Sequence, residues 1–395
     1  MANSDSDSSY DPQGADMDYY SELEFDAEGV SDDEVEPVGE TDPFGFRFVT
    51  PLNLRNSDKH QVPLPAFVGE ETKATDAMPK FGHPVEAFKA FMDYEVASHI
   101  IDCTNERAQI FLGDNPKKKI NGIQWKPLNM DTFHVFIGLV LLIGIVRLPR
   151  LHMYWSDHIL VGGPPIFCAK VMSRNMFQNI LKFLRFSKRE EVRPRTPKTR
   201  LESFLRLLRK KCKDNVHIGQ HIAIDESLML YKGRLFFKQF IKTKRARFGI
   251  KILFVCPGHP DWQGFSWDFE IYYGAGTEYS VDDDPDLEED DPRGSELTKS
   301  EAIVVYLMQG LLGQDRHVIV DNWYASLRLA IYLLYKGTTM TGVVRSDRGV
   351  PQLLKDDPLG NKASSFVRRG NVLITKFQDR KPVYSITTRY VHQCL

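Results

Sequence analysis

At 395 residues, with 42 % hydrophobic residues and 25 phenylalanines, the chain has room for two or three domains and a well-buried core. Its five cysteines (Cys103, Cys168, Cys212, Cys256, Cys394) show no CxxC spacing, which speaks for a reducing compartment and against a disulfide framework or a cysteine-based zinc site. The net charge of −2 conceals a segregation: residues 1–42 hold 15 acidic residues and no basic ones, and 282–291 hold eight more, leaving 51 basic against 30 acidic residues elsewhere. That is the balance of a basic body that meets a polyanion, or of one whose acidic appendages only keep it soluble.

Residues 1–43 are acidic and aperiodic, the composition of a disordered acidic tail. Their opening, MANSDSDSSYDPQG, has neither the basic nor the apolar region of a secretory signal. Residues 44–80 carry several prolines without a sustained period and read as a linker. From 81 to 215 the period is helical. PVEAFKAFMDYEVASHIIDCTN sets Val85, Phe88, Phe91, Val96 and Ile100 near one face. MDTFHVFIGLVLLIGIV follows as a second helix, with Asn129 or Asp131 as its N-cap. Its apolar stretch, 133–146, falls short of the ~20 residues a bilayer crossing needs, so a buried helix is expected and no membrane partner. LPRLHMYWS connects to SRNMFQNILKFLRFSK (173–188), which has a serine cap, and RLESFLRLLRKKCKDN (200–215) is a further basic amphipathic helix.

After Val216 the period becomes that of strands. HIAIDESLML (221–230), GIKILFVCPG (249–258) and FSWDFEIYYG (265–274) form a meander, the last two joined by the turn PGHPDWQG. An acidic loop (278–298) precedes the helix KSEAIVVYLMQGLLG; the strand HVIVDNW (317–323), the helix ASLRLAIYLLYKG and the strand TTMTGVVRS (338–346) follow. The order βββ-α-β-α-β predicts a mixed sheet, antiparallel first and then parallel through right-handed crossovers. Residues 347–382 are polar and irregular apart from VLITKF, and PVYSITT (382–388) is a last strand. The fold class is therefore α/β of mixed α+β character, a helical domain (81–215) followed by a sheet domain (216–346).

Two adjacent carboxylates, Asp225 and Glu226, interrupt the apolar run HIAIDESLML, and a buried carboxylate is costly unless paired or bound to metal. Strand alternation puts Ile222, Ile224 and Glu226 on one face and Asp225 on the other, so the two are expected to point apart and form no catalytic pair. Asp321, at the end of HVIVDNW, is a partner for Asp225 if the two strands are parallel neighbours, since sites gather at strand C-terminal ends. Two close carboxylates favour a divalent ion with a taste for oxygen, Mg²⁺ or Mn²⁺, of the kind that serves phosphoryl transfer. The plainer alternative makes Asp225 a strand-end residue and Asp321-Asn322 a turn. YKGRLFFKQFIKTKRARFG (231–249) interleaves basic residues with aromatics, as a surface that tracks phosphates and stacks bases would; an ordinary solvated loop is the competing reading. The chain contains no P-loop, HExxH, GxSxG or GxGxxG, and nothing that calls for a small-molecule substrate.

IDESLMLYKGRLFFKQF, RFGIKILFVC, WDFEIYYGAGT, VIVDNWYASLRLAIYLLYKG and TGVVRS, in that order, resemble the catalytic core of piggyBac-type transposases and their transposable-element-derived descendants. PVEAF, Thr104-Asn105, WKPL, FIGLVLLIGI, YWS and MSRNMF extend the resemblance forward, so that it covers roughly residues 80–390. It implies an RNase H-like catalytic domain with an insertion subdomain (347–382), flanked by a helical dimerisation and DNA-binding domain. It also implies a three-aspartate, two-metal site that cuts and joins DNA at transposon ends with TTAA targets, Asp225 matching the first aspartate and Asp321 the second. Double-stranded DNA and a homodimer are the implied partners, and the nucleus the implied location. The candidate DNA contacts are Lys232, Arg234, Lys238, Lys242, Lys244, Arg245, Arg247, Trp323 and Arg345. Two departures stand out: Lys244-Arg245 replaces the family's frequent Lys-Pro, and residues 383–395, expected to be the last core strand cut short, contain no Asp or Glu to serve as third aspartate. Asp347, Asp356, Asp357 and Asp379 match nothing catalytic, and the family's cysteine-rich zinc module has no counterpart. The expectation is a DNA-binding protein with an incomplete metal site that does not transpose; the alternative is a piece of a longer active transposase or nuclease.

Overall fold

The computed structural model describes residues 64, 66–115, 117–156, 167, 170–192, 196, 198–241, 247–274, 277, 279 and 297–389. The acidic tail (1–43), residues 44–63 and 65 of the expected linker, the acidic block 282–291 and the candidate DNA contacts Lys242, Lys244 and Arg245 lie outside them.

The front half is helical. After a two-residue strand β1 (Lys73–Ala74), helix α1 (Pro84–Phe91) starts with a capping box in which the His83 ring accepts the Val85 N–H at 3.2 Å and Glu86 reaches back to the His83 N–H. α2 spans Tyr94–Leu112, and its N-cap Asp93 accepts the Val96 N–H at 3.0 Å. The one helix expected over this stretch is therefore two, because Asp93 is extended (φ −74°, ψ −174°) and its carboxylate takes up an N–H that a continuous helix would have bonded internally. A ladder of β2 (Lys119–Ile120) and β3 (Ile123–Gln124) leads to α3 (Met130–Ile145), capped by Asn129, then a 3₁₀ turn (Leu151–Trp155), α4 (Arg174–Phe183), capped by Ser173, and α5 (Glu202–Asn215). Val96, Ile100, Phe133, Phe136, Phe177 and Ile180 make a closed apolar core between these helices. The side chain of Asn105 clasps the backbone of Leu128, accepting its N–H at 2.7 Å and donating to its carbonyl at 2.9 Å, so two short motifs 23 residues apart form one contact.

β4 (Val216–His217) pairs antiparallel with β1, and the main sheet begins. Its strands are β5 (His221–Leu230), β6 (Gln239–Phe240), β7 (Phe248–Pro257), β8 (Asp268–Ile271), β9 (His317–Val320), β10 (Thr339–Val344), β11 (Ser364–Arg369), β12 (Val372–Gln378) and β13 (Pro382–Thr387). The order is β11-β12-β13-β10-β9-β5-β7-β6, with β8 also on β7. β5, β9 and β10 are mutually parallel and every other pair is antiparallel. The expected meander and the parallel pairing of β5 with β9 are both present.

Helices α6 (Lys299–Leu307) and α7 (Leu327–Tyr335) cover one face, where Ile303, Val304, Leu329 and Leu333 pack on Ile222, Ile224, Val318, Val320 and Met340. The stretch 347–382, expected to be an irregular insertion, instead contributes α8 (Gln352–Asp356), β11 and β12, and through β13 these strands continue the main sheet beyond β10. Two buried cations hid them from a hydropathy pattern: Arg368 and Lys376 are 2 % and 5 % exposed. Lys376 is accommodated because its Nζ donates to the carbonyls of Lys355 and Asp357, each at 2.7 Å, at the end of α8.

Candidate functional site

Parallel pairing of β5 with β9 runs in register from His221–His317 to Ile224–Val320, and the next residue on each strand is an aspartate. β9 stops there. Asp321 turns the chain, its Oδ1 accepting the Trp323 N–H at 2.9 Å and its carbonyl the Ala325 N–H at 3.0 Å. Gly342 of β10 makes room for this turn, because a Cβ there would stand 2.6 Å from the Val320 carbonyl oxygen and 3.1 Å from the Ala325 Cβ. Asp225 is exposed, with Oδ1 accepting the N–H of Glu226 at 2.7 Å.

Asp225, Asp321 and Glu226 each offer a carboxylate oxygen, and these oxygens lie within 4.8 Å of one another. This corrects the expectation that Asp225 and Glu226 cannot act together. Alternation fixes only the direction of the Cβ, and β9 ends one residue short of the pair. The longer glutamate therefore brings its carboxylate to the same strand end although its Cβ points to the helix-covered face. The third carboxylate at this place is a glutamate from the same strand as the first.

Two neighbours hold Glu226. Tyr324 Oη donates to its Oε2 at 3.1 Å, and Lys251 Nζ is 3.9 Å from the same oxygen. Lys251 sits on the core face of β7, 4 % exposed, with its ammonium 3.6 Å from the centre of the Trp323 ring. Burial, then the negative Glu226 and Asp225 beside it, push the Asp321 carboxyl above the ordinary aspartate range, although the residue is open to solvent on its outer side. Burial and Glu226 likewise push the Tyr324 hydroxyl up, keeping it a donor.

The donor set is three carboxylates, hard oxygen ligands that repel one another when empty, and this fits Mg²⁺ or Mn²⁺ in kind. Glu226, Lys251 and Tyr324 were missed as site residues by sequence reasoning. The signal was present for one of them: Lys251 faces Leu228 in the β5–β7 register, one step along the same face from Glu226, and opposite charges at such a diagonal interact.

The candidate DNA contacts are divided by the fold. Lys232, Arg234 and Arg247 are exposed in the connection between β5 and β7, while Lys238 is half-buried, its Nζ donating to the Gly233 carbonyl at 3.2 Å. Trp323 lies instead beside the carboxylates as the aromatic partner of Lys251. Arg345, one residue past β10, is 3.8 Å from the Asp347 carboxylate.

A family model described as Transposase IS4 matches residues 83–395. Human PiggyBac transposable element-derived protein 3 is 25 % identical over 273 residues, 67 % of this chain and 40 % of that protein. Human PiggyBac transposable element-derived protein 2 is 25 % identical over 285 residues, 69 % of this chain and 42 % of that one. The chain thus spans about two fifths of the length of the curated relatives it matches. A cryo-EM structure of the piggyBac transposase synaptic complex with hairpin DNA superposes with a TM-score of 0.65 at 24 % identity, covering 82 % of this chain and 65 % of that one, and so shares its RNase H-like fold. Sheet order, the two aspartates that follow the last parallel pair of β5 and β9 and the length of the family match agree: the chain belongs to the IS4/piggyBac transposase family.

Proposed function

We propose that this protein binds duplex DNA through the basic connection between β5 and β7 and holds a divalent cation at Asp225 and Asp321, with Glu226 beside them, without carrying out transposition. The observation that carries the reading is the carboxylate cluster set on the same strand as a hairpin rich in cations. Between Glu226 and Asp261 the sequence has eight Lys or Arg and no acidic residue. The similarity to a protein solved with DNA supports the same partner. Mg²⁺ or Mn²⁺, when bound, would supply the positive charge that lets a DNA phosphate approach this acidic strand end. Asp225 and Asp321 orient such an ion through oxygens fixed by backbone N–H groups. Glu226, tied to Tyr324 and Lys251, is partly neutralised already and is a weaker ligand. Two fully available carboxylates are a slender hold for the metal pair that strand cutting and joining requires, which is why binding without transposition is proposed. A nuclear location belongs to this reading, since chromosomal DNA is its ligand.

Duplex binding across a salt series, with Mn²⁺ binding followed by calorimetry, tests it. The logarithm of affinity should fall steeply with the logarithm of salt, and removing Lys232 and Arg234 together should lower that slope by about 2. Asp225→Ala and Asp321→Ala should each abolish Mn²⁺ binding. A flat salt response would sink the reading. Mn²⁺-dependent cleavage of a hairpin-ended duplex, lost in Asp225→Ala, would replace it with the second reading that three clustered carboxylates favour, a DNA-cutting enzyme.

A further inference from the structure

We propose that the exposed rings of Phe236, Phe240 and Phe248, between β5 and the start of β7, are a stacking platform for unpaired DNA bases. The inference rests on the DNA-binding reading above and adds a second ligand class, the single strand.

Phe236, Phe240 and Phe248 are 79 %, 56 % and 48 % exposed, an unusual concentration of bare aromatic surface. Phe240 of β6 and Phe248 of β7 are register partners across an antiparallel pair, with ring centroids 4.6 Å apart and planes inclined by 39°. They form one tilted double ring held by backbone pairing. Phe236 meets the buried Phe237 edge-on at 5.4 Å, and Phe237 is seated in turn against Tyr273 at 5.1 Å, so the exposed ring rests on an anchored one. Lys238 Nζ lies 5.4 Å from the centre of the Phe248 ring.

Charge identifies the occupant. Exposed Lys232, Arg234 and Arg247 flank the rings in sequence, and no carboxylate occurs between Glu226 and Asp261. An apolar protein surface has no use for an acid-free cationic rim. A polynucleotide strand uses both parts, the cations meeting phosphates and the rings meeting the flat faces of bases. Distance adds a prediction of register. From Asp225 to Leu230, which pairs with Gly249 next to Phe248, is five residues, or about 17 Å at ~3.4 Å per residue. A DNA strand at the duplex spacing of ~3.4 Å per step covers that span in about five nucleotides, and a more extended single strand in fewer. A strand with one phosphate near the carboxylates therefore lays a base no more than about five nucleotides away on the Phe240–Phe248 pair.

The test measures fluorescence anisotropy of the full 395-residue chain with a labelled oligothymidylate of about 16 nucleotides and with a duplex of equal length, at matched salt. Phe236→Ala removes a ring with little burial, and Phe240→Leu removes one while keeping the apolar bulk that supports β6. Thermal melting confirms that both variants fold. The wild-type chain should bind oligothymidylate, and each variant should bind it about tenfold more weakly, about 1.4 kcal/mol. Duplex affinity should change by less than about twofold, since duplex contacts go to phosphates. Wild-type affinity for oligothymidylate in both variants overturns the platform, and so does an equal loss for both DNAs. A wild-type chain that binds duplex but not oligothymidylate overturns the platform and leaves the duplex reading standing; binding to neither overturns both. Self-association that Phe236→Ala abolishes, with oligothymidylate binding unchanged, gives the patch to a second copy of the chain and overturns the proposal.

Discussion

Asp321 ends a strand that packs well and carries a charge that does not. Its carboxyl is pushed above the ordinary range by burial and by Glu226 and Asp225. For a carboxyl whose folded pKa exceeds its unfolded one, the folded state holds the proton more tightly. Its contribution to stability is therefore best at low pH and is lost as pH rises from the ordinary aspartate value through the raised one. At neutral pH, without metal, the ionised Asp321 costs stability. Asp321→Asn keeps the acceptor for the Trp323 N–H and removes the repulsion, so the metal-free variant should be more stable by about 1 kcal/mol after solvent screening, a rise in Tm of about 1–2 °C for a chain of this length. The same variant should lose the stabilisation that the wild type gains from Mn²⁺, about 2.7 kcal/mol at a hundred times the dissociation constant. Differential scanning fluorimetry with and without Mn²⁺ reads both effects; a metal-free variant less stable than the wild type would show that the charge itself holds the turn.

At the scale of elements, β9 is pinned between β5 and β10 by a histidine. His317 is fully buried, its Nδ1 2.9 Å from Thr339 Oγ1 of β10 and its ring 5.6 Å from that of His221 on β5. Burial, then the charge of Arg389 and the neighbouring His221, lower its pKa to about 3. The folded protein thus keeps His317 neutral where the unfolded chain would take a proton, so stability falls as pH drops from about 6.5 toward about 3, by up to ~1.4 kcal/mol per pH unit. Between pH 6.5 and 4.5 the wild type should lose about 2–3 kcal/mol through this group. His317→Asn, which can still bond Thr339, should lose correspondingly less, as urea titrations at the two pH values would measure. Equal losses in both proteins would place the acid sensitivity elsewhere.

The same strand shows what was legible beforehand. HVIV and HIAI are apolar runs that end in aspartate, a pattern that made Asp225 and Asp321 neighbours on the condition that the two strands pair in parallel, and they do. Glu226 escaped because alternation gives a Cβ direction while a glutamate carboxylate is set by further torsions and by Tyr324 and Lys251, far away in sequence. The β11–β12 hairpin escaped because Arg368 and Lys376 are buried within it, although its Gly370-Asn371 turn, with Gly370 at φ +54°, is a readable hairpin signal. The break at Met92-Asp93 escaped because the apolar period runs through it unchanged.

At the scale of the molecule, the described residues form two apolar cores, one among the helices of the front half and one between the sheet and its covering helices, and α5 stands between them. Phe204 and Leu207 pack toward the helical core. Toward β8 the same helix sends Arg209, which grips Asp268 with two hydrogen bonds of 2.5 and 2.9 Å and Glu270 with one of 2.7 Å, while Lys213 adds a contact to Asp268 at 2.7 Å. Tyr306 of α6 donates to Glu270 at 3.1 Å, which extends the connection into the sheet core. Asp268 is 2 % exposed; burial would raise its pKa, but Arg209 and Lys213 outweigh this and hold it below the ordinary range. A depressed carboxyl contributes stability above its unfolded pKa and loses it as pH falls through the folded value, so the seam is intact at neutral pH. Removing one partner of such a buried pair strands the others. Arg209→Ala should therefore cost about 3–5 kcal/mol, whereas Arg209→Met combined with Asp268→Leu should recover only part of it, because an apolar pair of similar volume removes the Asp268 charge while Glu270 loses the Arg209 guanidinium and keeps its bond from Tyr306. Since α5 carries much of the coupling between the cores, calorimetry should show one transition for the wild type and two for Arg209→Ala, the helical and sheet parts melting apart. A single unshifted transition in the variant would mean that apolar contacts such as Phe91 with Phe265, 6.1 Å apart, couple the two halves without the ion pairs.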